Sequence, residues 1–126
     1  MKQRTKRFAL RIIKLANSLP NTLAAITIGK QLLRSGTSVG ANYRSACRAK
    51  STADFISKLS IVEEESDETL FWLELLEESE LVSATKLAAI KQEANELIAI
   101  TIASIKTARR NRNSHSAFRT PTSDFE

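Results

Sequence analysis

Proline occurs at only two positions, Pro20 and Pro121, and glycine at three, Gly29, Gly36 and Gly40, in a chain of 126 residues. A sequence punctuated this rarely lacks the turn residues of a many-stranded sheet. Its abundant Ala, Leu, Ile, Lys and Glu are instead good helix formers, so the fold class is all-α. At this length the chain suits one compact domain and is too short for two ordinary ones.

Apolar residues recur at helical spacing in four stretches. The first helix is expected over about residues 5–18, with Phe8, Ile12, Leu15 and Leu19 on one side and basic residues on the other. Leu19, Pro20 and Asn21 end it, because proline cannot continue the hydrogen-bond ladder, and Asn21 is a suitable cap for the next helix. The second, over about 22–49, carries Leu23, Ile26, Leu33 and Val39 together with all three glycines. Each glycine costs roughly 1 kcal/mol relative to alanine in an exposed helix interior. Close approach of another helix along Leu32, Gly36 and Gly40 is the expected compensation, and a break near Ser35 to Ser38 is the alternative.

Ser51, with Asp54 three residues on, nearly matches a capping box and opens a third helix over about 52–80. Phe55, Leu59, Val62, Leu70, Leu73 and Leu76 form its stripe, widened by Ile56, Phe71, Trp72 and Leu75 towards a second buried surface. Ser83 or Thr85 starts the fourth, over about 84–112, through Leu87, Ile90, Leu97, Ile98, Thr101, Ile105 and Ala108. Residues 114–126 are polar, aperiodic and include Pro121, and read as a disordered tail. An antiparallel up-down four-helix bundle over residues 1–113 is the simplest way to bury these stripes.

The net charge of +5 hides a segregation. Residues 1–50 hold eleven Lys and Arg and no acid, whereas residues 51–80 hold ten acids and the single base Lys58. Basicity returns at Lys106, Arg109, Arg110 and Arg112. Such a pattern either pairs helices within the fold or gives one surface a field attractive to polyanions. The candidate nucleic-acid contacts are Lys2, Arg4, Lys6, Arg7, Arg11 and Lys14 on the first helix and Arg44, Arg48 and Lys50 at the end of the second. Arg109, Arg110 and Arg112 are expected at the far end of the bundle.

Catalytic chemistry finds little to use. The lone Cys47 allows no intramolecular disulfide and, with the single His115, no metal-ligand cluster. The carboxylates from Glu63 to Glu68 have helical spacing, but a di-iron bundle needs Glu-x-x-His motifs on facing helices. Ser35, Ser38 and Cys47 have no structured histidine to activate them, and Gly36 and Gly40 are not followed by the Lys-Ser or Lys-Thr of a phosphate loop. No enzyme activity, cofactor or metal is expected. Arg11 and Lys14 interrupt the apolar segment that a signal peptide would need, and no window reaches the roughly 20 apolar residues of a membrane span. A cytoplasmic setting without membrane contact is expected.

Residues 31–50 read QLLRSGTSVGANYRSACRAK and are followed by SxxDFIxKLxIxxEExxET and by Trp72 and Leu73. Over roughly Phe8 to Ile105 this resembles the four-helix-bundle family of 23S rRNA intervening-sequence proteins. The resemblance implies a homopentamer of antiparallel bundles, often encoded within insertions of the large ribosomal RNA gene, with no known enzymatic activity. A related branch, the accessory variability protein of diversity-generating retroelements, implies nucleic acid and a reverse transcriptase as possible partners. Carried onto this chain, the motif residues are Arg34, Ser38, Asn42, Glu64, Glu68, Thr69 and Trp72. Arg34, Ser38 and Asn42 repeat every four residues, as do Glu64, Glu68 and Trp72, so two polar strips are positioned to face each other. Pairing of Arg34 with Glu68 or Glu64, and burial of Asn42 in a register-fixing polar layer, is expected. Many members place an acidic residue and glycine after the Asn, where this chain has Arg44, Ser45 and Ala46, leaving that helix end less neutralised.

Overall fold

The first helix, α1 (Lys2–Asn17), stops where proline removes the next donor: Ser18 and Leu19 close the last turn onto the carbonyls of Leu15 and Ala16, and Pro20 follows. The cap of α2 (Leu23–Cys47) is Thr22, whose Oγ1 accepts from the Ala25 N–H at 3.2 Å. The expected cap Asn21 lies one residue too early. Ser51 caps α3 (Thr52–Glu78) as expected, accepting from the Asp54 N–H at 3.0 Å. The fourth helix, α4 (Ala84–Phe118), runs past the expected end at Arg112, because neither proline nor glycine interrupts that stretch and elongation adds one hydrogen bond for each residue fixed. The computed structural model describes residues 1–118, with side chains to 114; the rest of the expected tail lies outside the described residues. No strand occurs among them.

Packing is sequential. α2 lies against α1 and α3, and α3 against α4, whereas α1 and α4 meet far less. Phe8, Ile12 and Leu15 of α1 join Leu32 and Val39 of α2, Val62, Leu73 and Leu76 of α3, and Leu87, Ile90 and Leu97 of α4 in the main core. A second cluster of Ala46, Ile56, Leu59 and Ile105, with Phe55 and Ala108 packed against it, closes the other end.

The stripe of α2 differs from its periodicity. Leu23, Ile26 and Leu33 are exposed, and the buried face is Ala25, Gly29, Leu32, Ser35, Gly36, Val39 and Gly40. Small residues win this face because α1 comes so near. A Cβ at Gly36 would lie 2.7 Å from Ile12 Cγ2, whereas one at Gly40 would sit 3.4 Å from the Thr5 carbonyl oxygen. The helix is unbroken from Ser35 to Ser38, and these hydroxyls bond back to carbonyls of the preceding turn at 2.7–3.3 Å instead of competing for its backbone N–H groups. Phe71, expected on a second buried surface, is half exposed.

Thr5 therefore abuts Gly40, and Ala108 packs beside Ala46 and Phe55. The start of α1, the α2–α3 link and the later turns of α4 share one end of the molecule.

Candidate nucleic-acid interface

Charge follows this geometry. Lys2 and Lys6 on α1 face Arg44 on α2 and Arg48 at its C-cap across a groove of about 410 Å³. Gly40, Ala41 and Ala9 keep bulk out of it. Among the described residues none of these four cations forms an ion pair. Arg44 and Arg48 also line a second groove, of about 410 Å³, with Lys50, Lys58 and Asp54. Here the field is partly neutralised: Lys58 Nζ donates to Ser45 Oγ at 3.0 Å and lies 3.9 Å from Asp54 Oδ1. Lys58, the one base in the acidic stretch, belongs to this face although its position in the sequence placed it elsewhere.

The remaining candidates separate. Arg109 and Arg110 are exposed and Arg112 lines a separate groove with Thr52 and Phe55 beside the start of α3, which holds none of the α1 cations. Arg11 and Lys14 border a different groove, of about 370 Å³, with Lys86. Arg7 is exposed outside these grooves. Arg4 leaves the set of open cations altogether. Its Nε donates to Glu93 Oε2 at 2.7 Å and its Nη2 to Glu93 Oε1 at 2.9 Å and Glu96 Oε1 at 2.6 Å, a fork that ties α1 to α4. The Arg4 guanidinium holds the Glu93 carboxyl below its ordinary range, and Gln92 and Arg4 do the same to Glu96.

The polar layer between α2 and α3 is also redrawn. Arg34 pairs with Glu68 and, at 3.2 Å, with Glu65; Glu64 is exposed and outside the network. One residue turns a helix by about 100°, enough to carry Glu64 from the α2-facing side to solvent. Trp72 Nε1 donates to the same Glu68 Oε2 at 3.0 Å, so Glu68 titrates below the ordinary range, first through Trp72 and then through Arg34. The Arg34 side chain is 48% exposed, so this layer is not the buried one expected. Ser38 Oγ donates to the Arg34 carbonyl and Asn42 Nδ2 to the Ser38 carbonyl, both within α2. The buried polar contact is between Thr69 Oγ1 and Ser35 Oγ, 2.9 Å apart, with Ser66 bonded back to Val62. Each hydroxyl has one proton and also a carbonyl of its own helix in reach, so one donates across and the other along its helix.

Among the described residues, no group of three or more His, Cys, Asp or Glu side chains is placed to hold a metal ion, and no helix is long and apolar enough to cross a membrane.

A family model described as 23S rRNA-intervening sequence protein matches residues 1–103. The chain belongs to that family. A crystal structure of a protein from Bacteroides thetaiotaomicron VPI-5482, described as of unknown function and from the S23 ribosomal protein family, is 42% identical. It superposes with a TM-score of 0.79 over 83% of this chain and 97% of its own. No curated protein matches the sequence. The stretch shared with the intervening-sequence family holds Lys2, Lys6, Arg44 and Arg48, whereas Arg109, Arg110 and Arg112 lie beyond it.

Proposed function

We propose that this intervening-sequence protein is a non-enzymatic oligomer that binds RNA or DNA through its basic end. In this reading the four helices form an antiparallel up-down bundle, and the bundles assemble as a homopentamer. The observation that carries it is the α1–α2 groove, where four cations without an ion pair among the described residues converge on a floor of small residues. Exposed cations without internal partners cost the fold little and attract phosphates strongly, since each contact releases a condensed counterion. The exposed thiol of Cys47 suits a reducing, cytoplasmic setting.

Titration of a labelled RNA at rising salt tests this. Affinity should fall linearly in log–log form and steeply, whereas no binding even at low salt would remove the reading.

A second reading, a purely structural interaction oligomer, is favoured by side chains that the monomer leaves open: Leu23 is 85% exposed and Leu10 57%. Light scattering separates the parts. A pentamer without RNA affinity would support this second reading, and a monomer would contradict assembly in both.

A further inference from the structure

We infer that Arg44 and Arg48 form the centre of a phosphate-backbone track that crosses from the α1–α2 groove over the α2–α3 link and prefers double-stranded nucleic acid to a single strand. This rests on the nucleic-acid reading above and adds where, and in what form, the ligand binds.

Among the described residues the two arginines are the only cations that line both grooves, so the grooves adjoin at them. Arg44 stands exposed in the last turn of α2 and Arg48, also exposed, is the residue that caps its C-terminus, so the two engage successive phosphates of one strand instead of crowding a single one. Lys2 and Lys6 extend the channel on one side and Lys50 on the other. The floor of Ala9, Gly40 and Ala41 lets a sugar–phosphate chain come down on the helices without meeting a bulky side chain.

Strand preference follows from what lines the channel. Proteins that hold single strands stack bases on aromatic rings. Among the described residues no aromatic side chain lines either groove, so its contacts reach phosphate and sugar and carry little sequence information. A ligand read only through its backbone is held best in the form with the greater charge density, which is the duplex. The α2 C-terminus brings a negative dipole end to the site, but the N-terminus of α3 sits beside it with the opposite sign. Asp54 offsets the charge of Lys58 in the second groove, whereas no carboxylate among the described residues lines the first, so the α1–α2 side is the stronger half.

The test is fluorescence anisotropy on the full chain, with a short mixed-sequence DNA duplex and one of its strands, over a salt series. The duplex should bind more tightly. Replacing Arg44→Gln together with Arg48→Gln should lower the slope of log K against log salt by about 1.8, two contacts at about 0.9 each. Arg44→Lys with Arg48→Lys keeps both charges and should keep the slope. Lys30→Gln with Lys86→Gln, exposed cations outside the channel, should leave it unchanged, and circular dichroism checks that each variant is folded. An unchanged slope in the Arg44 and Arg48 glutamine variant, or tighter binding of the single strand, would overturn the inference while leaving nucleic-acid binding intact. Absence of binding to either probe at low salt would overturn both.

Discussion

Glu68 joins two different side chains at the α2–α3 seam, accepting from the indole of Trp72 and from the guanidinium of Arg34. Because its folded-state pKa is lowered, its contribution to stability is complete above the unfolded value and is lost as pH falls through the folded one. Trp72 is the only tryptophan, so its fluorescence reports this site alone. Its emission should titrate with a midpoint below the unperturbed glutamate value of about 4.3, and Glu68→Gln should abolish that transition. A midpoint at or above the ordinary value would contradict the geometry. Glu80 presents a different local conflict. It is the one non-glycine with positive φ among the described residues, at 62°, where Glu80 N–H returns to the Glu77 carbonyl and Leu81 N–H to that of Leu76. This paired closure of a helix end places its left-handed residue where glycine is the usual choice. Glu80→Gly should therefore stabilise the fold by about 0.5–1 kcal/mol, read as a raised urea midpoint with an unchanged m-value.

At the scale of the helix, α2 is held by what it lacks. Alanine at Gly36 gains about 1 kcal/mol of helix propensity but drives a methyl into Ile12, with the Ile12 Cβ itself only 3.0 Å away. Overpacking of this kind costs about 1–3 kcal/mol, so Gly36→Ala should be neutral to destabilising by about 2 kcal/mol. Gly40→Ala meets only an ordinary contact and should be stabilising by up to about 1 kcal/mol. Chemical denaturation of the pair decides it, and equal midpoints would mean that α1 does not rest on this strip as described. The glycine strip was legible because repeated glycines in a helix require a compensating approach. The face of α2 was not legible: periodicity follows large apolar side chains, and here Leu23, Ile26 and Leu33 point outwards while Ala25, Ser35 and the glycines are buried. The same distinction runs through the site. Arg34 with Glu68 could be read from spacing on two neighbouring helices, whereas the choice of Glu65 over Glu64 depends on helix rotation. The tie from Arg4 to Glu93 and Glu96 joins helices at opposite ends of the sequence, and no local pattern announces it.

Across the whole molecule that tie has a particular importance, because α1 rests mainly on α2 and meets α4 at far fewer residues. The Arg4 fork spans this weaker seam, so it governs how readily α1 lifts away from the rest of the bundle. Arg4→Met keeps much of the aliphatic stem and removes the fork. Its expected result is faster amide exchange throughout α1, with protection in α3 and the early turns of α4 little changed, since local opening and global unfolding are separable. Arg7→Met, an exposed cation on the same helix without a described ion pair, serves as the control and should leave exchange unaltered. The same opening should be induced in the unaltered chain by acid. Glu93 and Glu96 both have lowered pKa values, the first through Arg4 and the second through Gln92 and then Arg4, so the fork is intact above the ordinary glutamate range and fails as pH falls below it. Arg4→Met should remove this pH dependence of α1 exchange, after correction for the intrinsic exchange rate. If α1 exchanges alike in both chains at neutral pH, the seam is held by its apolar contacts and the fork contributes nothing to it. Faster exchange spread evenly over all four helices would instead make α1 part of one cooperative unit with the rest.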